Sequence, residues 1–285
     1  ARLVGVPGIV LSGRSVAPSH FRIFQPYMKP GYTALLRDRH VVFLNNSRAG
    51  AQDYERWLGE PRGSVRVLHN GFEFPEIDRQ AARLRMRREF SIPQDVPVVG
   101  SILRFSEERR PKLAIDMARE IHGRRPEVRF LFCGDGVQMK EMRNYVASLG
   151  LADVVLLPGL IDQTWDALPA MDCFVLTSRM EGLPNVLIEA QASGLPVVCT
   201  GVGGMAETFA EGETGVSIFD PTAKSLADSV VSILSNNDLR RTMSERAYSY
   251  ARQTFGIDRM VSETIDAYVQ AVREPEAKAA FRASA

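Results

Sequence analysis

Residues 173–200 read CFVLTSRMEGLPNVLIEAQASGLPVVCT. An apolar run (173–178) is followed by a Gly-Leu-Pro-Asn break, a helical stretch over 185–193 and a second apolar run, PVVCT (196–200). Short apolar runs bounded by turn residues read as strands buried on both faces, and a helix between them makes a parallel β-α-β unit. The break sets Glu181 just ahead of the helix and Glu189 about one turn inside it. A helix start offers unbonded backbone N–H groups and the positive end of the macrodipole, which suits phosphate. At ~1.5 Å per helical residue the two carboxylates fall on the order of 10 Å apart, with the Asn185 and Val186 amides between them. Carboxylates accept from sugar hydroxyls. The stretch therefore points to a nucleotide-sugar pocket, with sugar at one end, diphosphate in the middle and ribose at the other. Two glutamates alone are also what an exposed loop residue and a surface helix residue look like. The inserted Gly-Leu-Pro-Asn and the strand-end position argue against that.

Working outward, the same alternation continues on both sides. Strands are expected at 96–103, 128–134, 154–159 and 215–219, with helices at 111–122, 137–149 and 165–170 between them. Buried strands alternating with amphipathic helices predict a parallel sheet covered on both faces, which binds ligands beyond the C-terminal ends of its strands. From about 222 the chain reads as three helical stretches, and 275–285 as a frayed tail. Upstream, 9–12, 41–45 and 65–68 are short strands, and Ser47 is an N-cap for a helix to about Leu58. Residues 1–12, ARLVGVPGIVLS, read as a helix tail entering a strand, so the chain is expected to start inside a domain. After Pro75 the composition shifts to a charged helix, RQAARLRMRREF, which marks the domain boundary. The expected division is 1–75, 76–257 and 258–285.

Two further segments stand at strand ends. Arg104-Phe-Ser-Glu-Glu-Arg109-Arg110-Pro111 follows the strand at 96–103, where arginines neutralise a diphosphate through charge-assisted bonds. A solvated charged loop has the same composition. Gly134-Asp135-Gly136 follows the strand at 128–133, as a tight turn for which structural and ligand-contacting roles are equally open.

Other classes find less support. A net charge of +1 gives no electrostatic case for nucleic acid. The three cysteines (Cys133, Cys173, Cys199) sit apart in apolar runs and read as buried thiols in a reducing, cytoplasmic compartment. No apolar run has the ~18–20 residues that span a membrane. The four histidines (His20, His40, His69, His122) are scattered without metal-ligand spacing, so no metal is expected. His20 reads as a surface residue or as a general base. The basic run Arg83–Arg88 reads as a solvated helix face, with peripheral contact to anionic lipid as the alternative.

Taken in order, these motifs resemble the retaining glycosyltransferases of family 4, which have the two-domain GT-B architecture. Glu181-GLPNVLI-Glu189 followed by AQASGLPVV is similar to that family's E-x7-E element. Arg104 and Arg109 correspond to its arginine and lysine, and Gly134-Asp135-Gly136 to its G-D-G turn. Gly203-Gly204-Met205-Ala206-Glu207 and Asn70-Gly71-Phe72 match two more elements. The resemblance runs from about Ile9 to Val272. It implies an α/β protein of GT-B type, with a Rossmann-like donor domain and an incomplete N-terminal acceptor domain.

The implied activity is metal-independent transfer of a sugar, with retained configuration, from a UDP-, GDP- or similar nucleotide-sugar. The implied acceptor is a glycan, a lipid-linked intermediate or a polysaccharide, and the implied setting the cytoplasm, with peripheral contact at the inner membrane face. No cofactor is implied beyond the donor substrate. By the likeness, Arg104 and Arg109 hold the diphosphate and stabilise its growing charge, and Glu181 bonds the donor sugar. Glu189 bonds the ribose, the Asn185 and Val186 amides cap the phosphates, and Ile161 lies against the base. Leu183, Gly134 and Asp135 complete the donor contacts. Two departures stand out. The family's lysine is Arg109 here, a planar fork in place of a point-like ammonium. The family's N-terminal Gly-rich loop has no counterpart, and Gly13-Arg14-Ser15 stands where a histidine is frequent. A nucleotide-sugar epimerase on the same architecture, and a catalytically incomplete binding fragment or scaffold, are the alternative readings.

Overall fold

The computed structural model describes residues 5–162 and 164–283, with side chains as far as Arg273. The helix-tail reading of residues 1–4 lies outside the described residues. By contact density the chain forms two units, one of Ala1–Glu73, Glu181–Leu183 and Phe255–Ala285, the other of Phe74–Met180 and Pro184–Thr254.

The first unit carries three parallel strands in the order β1 (Ile9–Gly13), β2 (Val41–Asn45) and β3 (Arg66–Val67). Helices α1 (Met28–Arg37) and α2 (Arg48–Leu58) cover one face through Phe43, Tyr54 and Leu58, with Tyr32 and Trp57 packed against them. Ser47 caps α2 as its sequence position predicts, its hydroxyl accepting from the Gly50 amide at 3.0 Å. The other face, Val42 and Leu44, is covered by Ala267 and Ala271 of α10 (Ile257–Ala283). Small residues let α10 come close: a Cβ on Gly8 would meet the Ala271 carbonyl carbon at 2.7 Å. Where the chain leaves this unit and where it returns, the Phe72 amide donates to Phe255 O at 2.8 Å and the Ile257 amide to Phe72 O at 3.0 Å.

The second unit holds six parallel strands: β4 (Val98–Ile102), β5 (Arg129–Cys133), β6 (Val155–Leu156), β7 (Cys173–Leu176), β8 (Val197–Thr200) and β9 (Gly215–Ile218). Their order is β6-β5-β4-β7-β8-β9. The two-residue β6 is shorter than the expected 154–159, because only Phe130–Val155 and Leu131–Leu156 pair there. Successive residues alternate between two cores. Val99, Phe130, Phe132, Cys173, Val175 and Val198 face α4 (Pro111–His122), α5 (Met139–Ser148) and α8 (Ala223–Ser235). Val98, Leu131, Cys133, Phe174, Leu176, Val197 and Cys199 face α3 (Arg79–Glu89) and α7 (Asn185–Ala192). Burial on both faces is why each strand reads as an unbroken apolar run. A short α6 (Thr164–Ala167) precedes β7, and α9 (Asn237–Thr254) packs against α7.

Arg87 on α3 is fully buried. Its guanidinium donates to the carbonyls of Ala170, Pro93, Gln94 and Val96 and to Asp172 Oδ2 at 2.8 Å. Asp172 Oδ2 also accepts from the Val98 amide at 2.8 Å, so this ion pair pins the starts of β4 and β7. The Arg83–Arg88 run is divided: Arg85 and Arg88 are exposed, as a solvated helix face requires, whereas Arg83 is half-buried and Arg87 buried. Arg83 pairs with Asp172 at 3.0 Å, Arg85 with Asp166 at 2.8 Å, and Arg87 is interior. No described helix is long and apolar enough to cross a membrane. Of the expected frayed tail 275–285, α10 extends through Ala283, and the remainder lies outside the described residues.

Candidate functional site

The strand order reverses direction at β4 and β7. From β4 the chain builds outward through β5 and β6, then returns to place β7 on the other side of β4. Loops that diverge from such a switch point leave a crevice at the C-terminal strand ends. Arg104 and Arg109 lie on the loop after β4, and Ser178 and Glu181 on the loop after β7.

The loop after β4 is held from two sides. On the β7 side, Arg109 Nη1 donates to Ser178 Oγ at 3.2 Å, and the Thr177 hydroxyl donates to the carbonyls of Arg109 and Arg110 at 2.9 and 3.2 Å. The Arg179 amide donates to Glu108 O at 2.7 Å. On the β5 side, the turn 134–136 is laced into it. The Phe105 amide donates to Asp135 O at 2.9 Å, and the Gln138 amide to Phe105 O at 3.0 Å. A Cβ on Gly134, at φ +127, would fall 1.8 Å from Leu103 O, and one on Gly136 2.4 Å from Phe105 O. Between the two roles open for this turn, packing therefore has a concrete basis. The Asp135 carboxylate accepts from the Gly136 amide at 2.7 Å.

Arg104 is exposed and Arg109 half-buried. Burial lowers the pKa of Arg109, and the charge of Arg104 lowers it further, against a smaller opposing effect of Glu108. Two guanidiniums held near enough to repel each other make a place for a multivalent anion. Arg110, in the left-handed region at φ +51, starts α4, and Arg179 acts on it in the same sense. Sequence reasoning included Arg110 in the arginine segment after β4 but gave no role to Ser178 or Arg179. Their grouping depends on β4 lying beside β7, which no local pattern encodes.

Helix α7 starts at Asn185, with Pro184 as its N-cap, a residue that makes no side-chain cap bond. Asn185 is exposed, and Val186 packs partly against the β-sheet core. Glu189 stands in the second turn of α7. Its carboxylate has no hydrogen-bond partner among the described residues, and burial raises its pKa. A desolvated carboxylate with nothing donating to it costs stability. Ile161, in the loop after β6, packs partly against the same core beside the exposed Leu160.

Glu181, Gly182 and Leu183 are buried among residues of the first unit. A Cβ on Gly182 would meet Arg14 O at 2.7 Å and the Asn46 side chain at 3.1 Å. Around it, Arg14 Nη2 donates to Asn70 Oδ1 at 3.1 Å, and Asn45 Nδ2 to Ser15 O at 3.0 Å. These residues follow β1, β2 and β3 and tie the three strand ends together. His20 pairs with Asp53 at 3.0 Å. The three cysteine thiols are interior, and burial pushes each pKa up to about 12, which leaves them unreactive. Among the described residues no three His, Cys, Asp or Glu side chains cluster as metal ligands.

A family model described as glycosyl transferases group 1 matches residues 82–250. The chain is 31% identical over 271 residues to the Vi polysaccharide biosynthesis protein VipC/TviE of Salmonella typhi, covering 92% of this chain and 46% of that protein. It is 27% identical to N-acetyl-alpha-D-glucosaminyl L-malate synthase of Bacillus anthracis, covering 76% and 56%. The chain thus spans about half the length of these curated relatives. Among solved structures, Anabaena HepE in complex with UDP superposes with a TM-score of 0.80 at 21% identity, covering 91% of this chain and 72% of that one. That likeness is one of fold, in agreement with the GT-B architecture implied above.

Proposed function

The chain belongs to the group 1 glycosyl transferases, and from that premise we propose that it binds a nucleotide diphosphate-sugar and serves retaining transfer of the sugar to a glycan or lipid-linked acceptor. The observation that carries this reading is the placement of Arg104 and Arg109 on the loop after β4 at the β4/β7 switch point, with Arg109 bonded to Ser178 of the loop after β7. In the proposed reaction the bond between the anomeric carbon and the β-phosphate oxygen breaks, and negative charge collects on the departing diphosphate. Arg104 and Arg109 meet that charge as it forms, which is where fixed cations contribute most to a rate. The acceptor hydroxyl oxygen bonds to the anomeric carbon on the face the phosphate leaves, and its proton passes to the departing phosphate oxygen. No protein nucleophile and no metal take part.

The start of α7 offers the Asn185 and Val186 amides to the phosphates. Glu189 accepts from the ribose hydroxyls, which supply the donors its carboxylate lacks. Glu181 accepts from the donor sugar, Leu183 and Ile161 give apolar contacts to donor and base, and Gly134 with Asp135 borders the phosphates. Arg109 in the lysine position keeps the charge but fixes its direction through Ser178. The relatives include proteins of polysaccharide and lipopolysaccharide biosynthesis, which favours a glycan acceptor handled in the cytoplasm, at or near the membrane's inner face.

Calorimetric titration of the protein and of its Arg104→Ala and Glu181→Ala variants with UDP, GDP and their sugars tests this. Binding by the parent and at least tenfold loss in Arg104→Ala is expected, with Glu181→Ala losing affinity for the sugar-bearing donor more than for the bare diphosphate. Variants that bind as well as the parent would sink the assignment.

A further inference from the structure

A cavity of about 760 Å³ lies in the six-stranded unit, at the end of the sheet opposite the switch point. Its walls are the first turns of α3 and α9 and the segments that lead into β7 and β8. We propose that this cavity is an anion site for a pyrophosphoryl or comparably charged phosphate ester, held chiefly by Arg79 and Arg240.

The charge balance carries the proposal. Four arginines (79, 83, 240, 241) and three aspartates (78, 172, 238) line the cavity. The aspartates are already engaged. Asp172 binds Arg83 and the buried Arg87, Asp238 pairs with Arg241 at 3.1 Å, and Asp78 Oδ1 accepts from the Ala81 amide at 3.0 Å as the cap of α3. That leaves Arg79 and Arg240 without a carboxylate partner among the described residues. Arg79 donates once, to Ser193 O at 3.1 Å, and its guanidinium stacks over the Tyr248 ring at 4.9 Å, which fixes its direction. Arg240 reaches only a neutral partner, Asn237 Oδ1, at 3.2 Å. Its charge is also felt at Arg87, whose pKa burial lowers first and the neighbouring cations Arg83 and Arg240 lower further. A planar guanidinium held by a ring and a second one without a carboxylate partner match a ligand with several phosphate oxygens. The volume is that of a small-molecule site, larger than a single ion needs.

Nothing in this cavity belongs to the donor machinery, so the two sites separate experimentally. With UDP present at saturation, the expected result is a further calorimetric binding event with inorganic pyrophosphate, weakened at least tenfold in Arg79→Gln/Arg240→Gln. That variant should keep its circular dichroism and its UDP affinity. A parallel arm with phosphatidylglycerol and phosphatidylcholine vesicles identifies the source: binding to the anionic vesicles alone, lost in the same variant, would make the phosphate a lipid headgroup. Absence of binding in both arms, or binding that the double variant retains in full, overturns the proposal. Should the double variant unfold, Arg240→Gln alone, on the half-exposed first turn of α9, is read by the same criteria.

Discussion

Arg109 Nη1 and Ser178 Oγ, 3.2 Å apart, join the loops that follow β4 and β7. The bond fixes the direction of a half-buried cation through a neutral hydroxyl. Arg109→Lys keeps the charge and loses the fork. Its expected effect is a UDP affinity reduced about tenfold, against about a hundredfold for Arg109→Ala, in line with the ~1.5–3 kcal/mol of a charge-assisted bond. Ser178→Ala should fall close to Arg109→Lys. Isothermal titration orders the three, and an unaffected Arg109→Ala would remove this residue from the site.

Glu189 sets stability against binding. Burial raises its carboxyl pKa above the unfolded value of about 4.3. The native state therefore holds more protons than the unfolded state between those two values, and stability falls as pH rises through that window. Glu189→Gln removes the charge. The expected outcome is a higher Tm than the parent at pH 7, a difference that disappears below about pH 4, and weaker binding of ribose-containing nucleotides at pH 7. A lower Tm at pH 7 would show that the carboxylate is satisfied in the unliganded protein.

Arg87 and Asp172 form an ion pair in which the arginine is fully buried and the aspartate half-buried. Removing one member of a buried ion pair costs about 3–5 kcal/mol. Arg87→Met leaves Asp172 with Arg83 alone and orphans four carbonyls. A large fall in the urea midpoint is expected, with the slope unchanged. Arg83→Met, at a partly exposed position, should cost much less.

Gly134→Ala places a methyl in the Leu103 carbonyl at a φ of +127, where side chains are strained. The neighbour is backbone and has no rotamer to yield. The variant should lose both stability and UDP affinity, because the loop that moves carries Arg104. Gly150→Ala meets no atom within 4 Å at φ +68 and serves as the control for positive-φ strain alone. Equal effects of the two on nucleotide binding would break the proposed link between the 134–136 turn and Arg104.

Local signals led to the correct local structure. Ser47 is an N-cap, Asn185 opens a helix, and the apolar runs 173–178 and 196–200 contain neighbouring parallel strands. Helix α1, MKPGYTALLR, was hidden because Pro30 and Gly31 stand inside it as breakers, and tertiary packing of Tyr32 and Leu36 outweighs them. The interior position of Arg87 was equally invisible. An arginine in a basic run reads as solvated until the carbonyls of 93, 94, 96 and 170 are brought around it. The candidate residues were legible one by one from strand-end positions. The contacts that orient them, Arg109 with Ser178 and Asp135 with Phe105, join residues 69 and 30 apart in the chain and arise only from strand order.

The hydrogen bonds from Phe72 to Phe255 and from Ile257 to Phe72 have a consequence for engineering. They place the entry to the Phe74–Thr254 stretch next to its exit, so this stretch, Glu181–Leu183 apart, is an excursion from the chain of the first unit. A few glycines and serines joining 254 back to 74 would span that gap, and new termini opened at the exposed Gly150 turn would give a circularly permuted six-stranded unit with its sheet order intact.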